Sequence, residues 1–213
     1  MPASIDFYFD FISPYSYLAN AVLPRLAARQ GASIDYRPFC LLDLMKIVGN
    51  RPTTLECRNK GVYAMMDLQR WAKSSRAPFA PNPFWSSIDF AELGRGALAA
   101  IDDGRGGEYI DAVYPAVFGE PRDLSRRSEL LDVLDKAGFD GGRLLERAGS
   151  AEYVVRLETR TQAAAERGVF GSPTMFVGGE MFFGNDRLDF LTEAVRSAMD
   201  STGASSEQNL EAV

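Results

Sequence analysis

The chain contains no histidine and only two cysteines, Cys40 and Cys57, among 213 residues. Without an imidazole, serine-histidine and cysteine-histidine nucleophilic triads are excluded. Proton transfer near neutral pH then falls to a carboxylate, a lysine, a tyrosine, solvent or a group on the substrate. Two separated cysteines make a poor start for a zinc site, because no CxxC pair nucleates one, and both are read as small buried hydrophobes. Long apolar runs are also lacking. The start MPASIDF has no basic region followed by an apolar stretch, so the expectation is a cytoplasmic protein with no membrane span. Positive charge is in deficit: 23 Lys and Arg against 29 Asp and Glu give a net charge of -6, which disfavours nonspecific nucleic-acid binding. Arg122, Arg126 and Arg127 form the one small basic cluster, and Glu120, Asp123 and Glu129 dilute it to a solvated helix end.

What is present has the balance of a globular protein, 46% hydrophobic and 24% charged residues, with enough length for one domain or two small lobes. IDFYFDF, residues 5–11, interleaves Ile5, Phe7, Phe9 and Phe11 with Asp6, Tyr8 and Asp10, the period of a strand. Ser13 then reads as the N-cap of a helix that carries Pro14 at its first position, has a local bend at Pro24 and stops at Gly31. SIDYRPF, residues 33–39, is a second strand, parallel to the first because a helix separates them. Residues 41–150 show helical spacing without strand patterns. After them come a helix ending at Gly168, the strands TMFVGG and EMFFG joined as a hairpin, and a last amphipathic helix, DRLDFLTEAVRSAMD.

This order predicts an α/β, thioredoxin-like fold with a large helical insertion. Residues 1–40 and 151–200 are its two halves, 41–150 the inserted helical domain, and 201–213 a flexible tail.

The stretch SPYS, residues 13–16, is where redox proteins of this architecture carry CxxC. Hydroxyls cannot form a disulfide there. The open N–H groups and dipole of a helix N-terminus favour negative charge, so the site could hold the thiolate of another molecule. A hydrogen bond to a charged group is worth about 1.5–3 kcal/mol, and about 1.4 kcal/mol moves a pKa by one unit. That suffices to ionise a substantial share of a thiol whose free pKa is roughly 8.5. Ser13 also has the plain alternative of being an ordinary helix cap. At Ser172-Pro173 a trans bond would merely start a strand, whereas a cis bond would turn the backbone of Ser172 toward the first loop as a clamp for a peptide-like ligand. The residues leave both isomers open.

DFYFDFISPYSYLANAVLPRLA, KGVYAMMDLQRWA and GVFGSPTMFVGGEMFFGNDRLDFL together resemble the 2-hydroxychromene-2-carboxylate isomerase family, relatives of the kappa-class glutathione transferases and DsbA-like proteins. The resemblance runs from about residue 4 to 199. It implies glutathione as cofactor, with Ser13 at the sulfur and the backbone of Ser172, before Pro173, on the cysteinyl part. It also implies Asn185 and Asp186 at the γ-glutamyl end and Lys60 at the glycine carboxylate or another anionic part of the site. Read on its own, Asp186 lies at the mouth of the last helix, where it can cap that helix and accept from an ammonium, and Lys60 can be a solvated helix-end lysine. Tyr15, Tyr63, Phe84 and Trp85 could wall an aromatic substrate pocket, and Phe84 could equally belong to a lobe core. Asp67 and Arg70 have the spacing of a surface pair.

The activity implied is isomerisation of 2-hydroxychromene-2-carboxylate to trans-o-hydroxybenzylidenepyruvate by reversible thiolate addition, with no net oxidation. The substrate would be a small aromatic carboxylate, and the assembly a homodimer without nucleic-acid or membrane partners. The rivals are a kappa-like glutathione transferase or peroxidase, which would consume glutathione, and a non-catalytic thioredoxin-like binding protein.

Overall fold

The computed structural model describes residues 3–208, with Leu55 and 201–208 described by backbone alone. Its centre is a four-stranded sheet in the order β2-β1-β3-β4, built from β1 (Ser4–Phe9), β2 (Ser33–Pro38), β3 (Thr174–Val177) and β4 (Glu180–Phe183). β1 and β2 are parallel in the register Phe7 to Tyr36, and β1–β3 and β3–β4 are antiparallel. The expected thioredoxin-like arrangement is therefore present, with a parallel crossover on one side and a hairpin on the other.

The alternation along β1 becomes two covered faces. Ile5, Phe7, Phe9 and Phe11 are fully buried in the main core with Met175, Phe182, Leu191 and Val195. Tyr8 and Phe176 point the other way, into a smaller core with Phe39, Leu44, Ala164 and Val169. That second face is covered by α3 (Leu41–Val48) and α10 (Ala151–Glu166), while α11 (Leu188–Gln208) packs against β3 on the first. Each fully buried Phe or Leu removes enough apolar surface to be worth roughly 1.5–3 kcal/mol.

The helix expected between the first two strands is in fact two, α1 (Pro14–Asn20) and α2 (Leu23–Gln30). Pro24 stands within the first turn of α2, where its missing N–H costs no helical bond, so the chain breaks and restarts instead of bending. Gly31 ends α2 at φ 65°, a left-handed conformation that glycine adopts without steric cost.

Between β2 and α10 lie α4 (Thr53–Glu56), α5 (Arg58–Ser75), α6 (Phe90–Asp102), α7 (Gly106–Tyr114), α8 (Arg127–Lys136) and α9 (Gly141–Ala148). A chain of rings ties this block to the sheet. Phe11 lies 4.7 Å from Tyr114 and 6.0 Å from Tyr109, and Tyr109 lies 6.0 Å from Phe139, centroid to centroid. Arg122 is neutralised by Glu129 at 2.6 Å and Asp132 at 2.7 Å, in keeping with a solvated helix end.

Burial of both cysteines does not hold. Cys40 is half-buried, and Cys57 is exposed because it stands in the short connection between α4 and α5, away from the sheet. Backbone helix continues through 201–208, where the composition suggests a tail, and the rest of that tail, 209–213, lies outside the described residues. Among the described residues no helix is long and apolar enough to cross a membrane.

Candidate active site

β1 delivers the chain to Asp10, a buried residue on which four segments converge. Its backbone N–H donates to the Ser172 hydroxyl (3.1 Å), and its carbonyl accepts from Ser13 N–H (3.1 Å) and the Tyr114 hydroxyl (3.2 Å). Its carboxylate accepts from Ile12 N–H (3.1 Å) and from Leu41 N–H (2.7 Å) at the start of α3. Burial pushes the Asp10 carboxyl up to about 7, with Leu41 and Ile12 pulling the other way and Asp43 adding to the rise.

Ser13 is the N-cap of α1, and its Oγ accepts from Ser16 N–H at 3.2 Å. The same hydroxyl donates to the carbonyl of Ser172 at 3.0 Å. Pro14 has no N–H, and those of Ser16 and Tyr17 are already bonded to Ser13. The Tyr15 N–H is therefore the first-turn donor with no acceptor among the described residues. The Ser172-Pro173 peptide is cis. Ser16, completely buried, places its Oγ 2.6 Å from the Ser172 Oγ. Ser13 and Ser172, remote in sequence, thus meet directly, and Ser16 and Asp10 hold their junction from beneath.

Of the remaining predicted residues, Asn185 is buried. It lines a cavity of about 250 Å³ with Asp186, Asp189, Ser74, Ser75 and Trp71. Asp186 does not cap a helix; its half-exposed carboxylate pairs with neighbouring Arg187 at 2.5 Å. Gly184, which precedes this turn, has φ 99°, a backbone conformation that glycine adopts without steric cost. Lys60 stands in the first turn of α5 and donates to Thr53 Oγ1 at 3.1 Å.

Tyr15 and Asp67 bring α1 and α5 together through a 3.2 Å hydrogen bond, so Asp67 is the partner of Tyr15, not of Arg70. Burial first, and then the Asp67 charge, push the Tyr15 phenol up to about 12, and it stays protonated at neutral pH. Tyr63 is exposed under the Arg70 guanidinium, 5.9 Å from the ring centre. Phe84 stays partly exposed, while Trp85 is only partly buried against the main core. Trp85 packs on Phe90 at 5.5 Å, and the backbone N–H of Phe84 is bonded to the Asn82 side chain.

Glutathione is a peptide-like thiol with an ammonium at one end and a carboxylate at each, and the donor set present fits it. Hydroxyl and N–H donors stand at a helix N-terminus beside the backbone of Ser172, carboxylates line the cavity at Asn185, and a lysine opens α5. Sequence reasoning assigned no role to Asp10, Ser16 or Tyr114. The Ser-x-x-Ser spacing was the available signal for Ser16. Asp10 and Tyr114 act through contacts with residues far along the chain, which no local pattern reveals.

The family description "DSBA-like thioredoxin domain" matches residues 4–196. The chain is 40% identical over 196 residues to 2-hydroxychromene-2-carboxylate isomerase of Sphingobium xenophagum, covering 90% of this chain and 97% of that one. It is 27% identical to human glutathione S-transferase kappa 1, covering 90% of each. A solved structure of a 2-hydroxychromene-2-carboxylate isomerase superposes with a TM-score of 0.81 at 34% identity, covering 99% of both chains. The extent of these matches settles the lineage: the chain belongs to the DSBA-like thioredoxin domain family and, within it, to the 2-hydroxychromene-2-carboxylate isomerases.

Proposed function

We propose that this protein is a glutathione-dependent isomerase that converts 2-hydroxychromene-2-carboxylate, a small aromatic carboxylate, to trans-o-hydroxybenzylidenepyruvate. The observation that carries the reading is the meeting of Ser13 and Ser172 at the N-terminus of α1, in a near full-length relative of enzymes with that name. When bound, glutathione supplies a thiol that adds reversibly to a conjugated double bond and leaves unchanged, so the carbon–carbon bond can rotate without net oxidation.

The chain's own part is orientation and electrostatics. Ser13 turns its hydroxyl proton from the Ser172 carbonyl to the sulfur, exchanging a neutral hydrogen bond for a charge-assisted one. The Tyr15 N–H is a second donor at the same helix end. Ser172 presents its backbone edge to the cysteinyl part, Asn185 and Asp186 take the γ-glutamyl end, and Lys60 takes the glycine carboxylate. Tyr15, protonated and donating that one proton to Asp67, holds α5 against α1 beside the site.

An isomerase leaves total thiol constant, while a transferase or peroxidase consumes it, so end-point thiol measurement alongside turnover decides between them. We place the reaction in the cytoplasm, where the glutathione pool is kept reduced. We also infer a homodimer, supported by the exposed apolar side chains Val62, Met65 and Met66 on α5. Light scattering giving the monomer mass would overturn that assembly.

A further inference from the structure

Asp10, only 6% exposed, is the one Asp, Glu, Lys or Arg buried among the described residues. An ionised carboxyl in such a place costs free energy unless a cation or enough donors offset the lost water. No lysine or arginine bonds it among the described residues, and its donors are backbone N–H groups, Ile12 on one oxygen and Leu41 on the other. The titratable groups that face it are Cys40 and Asp43 at the start of α3 and the Tyr114 phenol of α7. Asp43 is itself paired with Lys46 at 2.8 Å. Burial pushes the Cys40 thiol up to about 12 and holds the Tyr114 phenol well above its ordinary range, so both stay neutral near pH 7. From α10 and the loop before Pro173 this end of β1 meets the hydroxyls of Thr161 and Ser172.

The same residue stands under the point where the site gathers negative charge. Ser13 N–H donates to the Asp10 carbonyl at 3.1 Å, the i to i+3 bond of a β-turn, which keeps the two Cα atoms within about 7 Å. The bond from Ile12 N–H holds the carboxyl against this turn, where the chain leads into α1. A thiolate resting on Ser13 and an ionised Asp10 are then two like charges on one turn, with protein between them in place of water. At an effective dielectric of about 20, unit charges about 10 Å apart move each other's pKa by about one unit.

We propose that the Asp10 carboxyl takes up a proton as the thiol of bound glutathione releases one, so that this turn carries one negative charge and not two. The exchange deepens the glutathione-dependent reading and rests on it. The thiol proton goes to solvent, a proton from solvent forms the carboxyl O–H, and no electrons change hands. Asp10 does not touch the sulfur; it is a positioning residue, bonded to Ile12, Leu41 and Ser172, that can shed its charge in place. Because burial holds its carboxyl at about 7, the exchange falls near neutral pH, and the two groups titrate as a pair.

The test is calorimetric titration of glutathione into the protein at pH 7.5 in buffers of different ionisation enthalpy, which counts the protons released per ligand bound. S-methylglutathione, which has no thiol proton, is titrated alongside. The wild type should release about half a proton fewer with glutathione than Asp10→Asn does. With S-methylglutathione the two proteins should give the same count. At pH 8.5 Asp10→Asn should favour glutathione over S-methylglutathione about three- to tenfold more than the wild type does, the same coupling read as affinity. A purely structural role would weaken both ligands alike and leave the proton counts equal. Circular dichroism melts identify a variant that fails to fold, and Asp10→Ser, whose hydroxyl still accepts from Ile12 N–H, is a second variant with the same expectations. Equal proton counts in the wild type and a folded variant would overturn the proposal, and so would a larger count in the wild type. A smaller count in the wild type without turnover of the chromene would uphold the exchange while sinking the isomerase reading.

Discussion

The hydroxyl oxygens of Ser16 and Ser172 lie 2.6 Å apart, beneath the point where Ser13 donates to the Ser172 carbonyl. The loop before Pro173 is therefore registered against α1 by the paired Ser16 and Ser172 hydroxyls. Ser16→Ala should weaken glutathione binding about three- to tenfold, with a loss of roughly 1 kcal/mol in stability. Ser172→Ala should do the same, since the Asp10 N–H also loses its acceptor. In a double-mutant cycle read by calorimetry, the two effects should be clearly less than additive. Full additivity would mean that the two hydroxyls act separately.

Ser13→Ala removes the hydroxyl donor but leaves the helix dipole and the Tyr15 N–H. Turnover at pH 7 should fall about a hundredfold, while the melting temperature moves only by the loss of an N-cap, about 1 kcal/mol. The thiolate absorbance of bound glutathione, titrated against pH, should show a pKa at least about one unit higher in the variant. An unmoved thiol pKa with undiminished turnover would remove Ser13 from the chemistry.

Asp10 predicts a pH dependence of stability. Its folded pKa of about 7 lies above the ordinary 3.8 because burial outweighs the Leu41 and Ile12 N–H donors. The native state then holds a proton that the unfolded chain has released. The contribution is present in full below about pH 4 and is lost as pH rises to about 7, by up to about 4 kcal/mol. Nearby Asp43 is shifted the other way by Lys46, so the comparison needs a variant that alters Asp10 alone. Asp10→Asn is less stable at pH 4, because one amide nitrogen opposes a backbone N–H. Its deficit should shrink as pH rises to 7 in urea titrations, and a constant deficit would contradict the shift.

Gly96 reverses the usual sign of a helix substitution. Alanine in place of glycine inside a helix is normally worth up to about 1 kcal/mol of stability. At Gly96 a Cβ would lie 2.1 Å from the Tyr109 hydroxyl and 2.7 Å from its ring, in the packed contact of α6 and α7. Tyr109 is fully buried and bonded to the Leu93 carbonyl at 3.1 Å, so it has little freedom to yield. Gly96→Ala should destabilise by about 1–3 kcal/mol in chemical denaturation.

Much of this architecture is legible along the chain because it is local. The period of two from Ile5 to Phe11, the Ser13-Pro14 helix start and the strand-turn-strand around Gly178 and Gly179 each read directly as structure. The site is less legible, because its joints connect residues far apart. Asp10 looks like the polar position of an alternating strand, yet it binds Leu41 and Ser172 and receives Tyr114. Trp85 turns inward against Phe90, whereas Tyr63, Phe84, Phe170 and Phe183 keep their rings partly exposed, a difference no local pattern announces. A single helix over residues 14–30 fails for a smaller reason, since a proline tolerated in a first turn restarts a helix as readily as it bends one.

The most direct test of the account is the ultraviolet spectrum of 2-hydroxychromene-2-carboxylate incubated with the purified protein, with and without glutathione, and with total thiol measured at the end. The account predicts rapid conversion to trans-o-hydroxybenzylidenepyruvate only when glutathione is present, with thiol fully conserved. Conversion without glutathione, or conversion accompanied by loss of thiol, would contradict it.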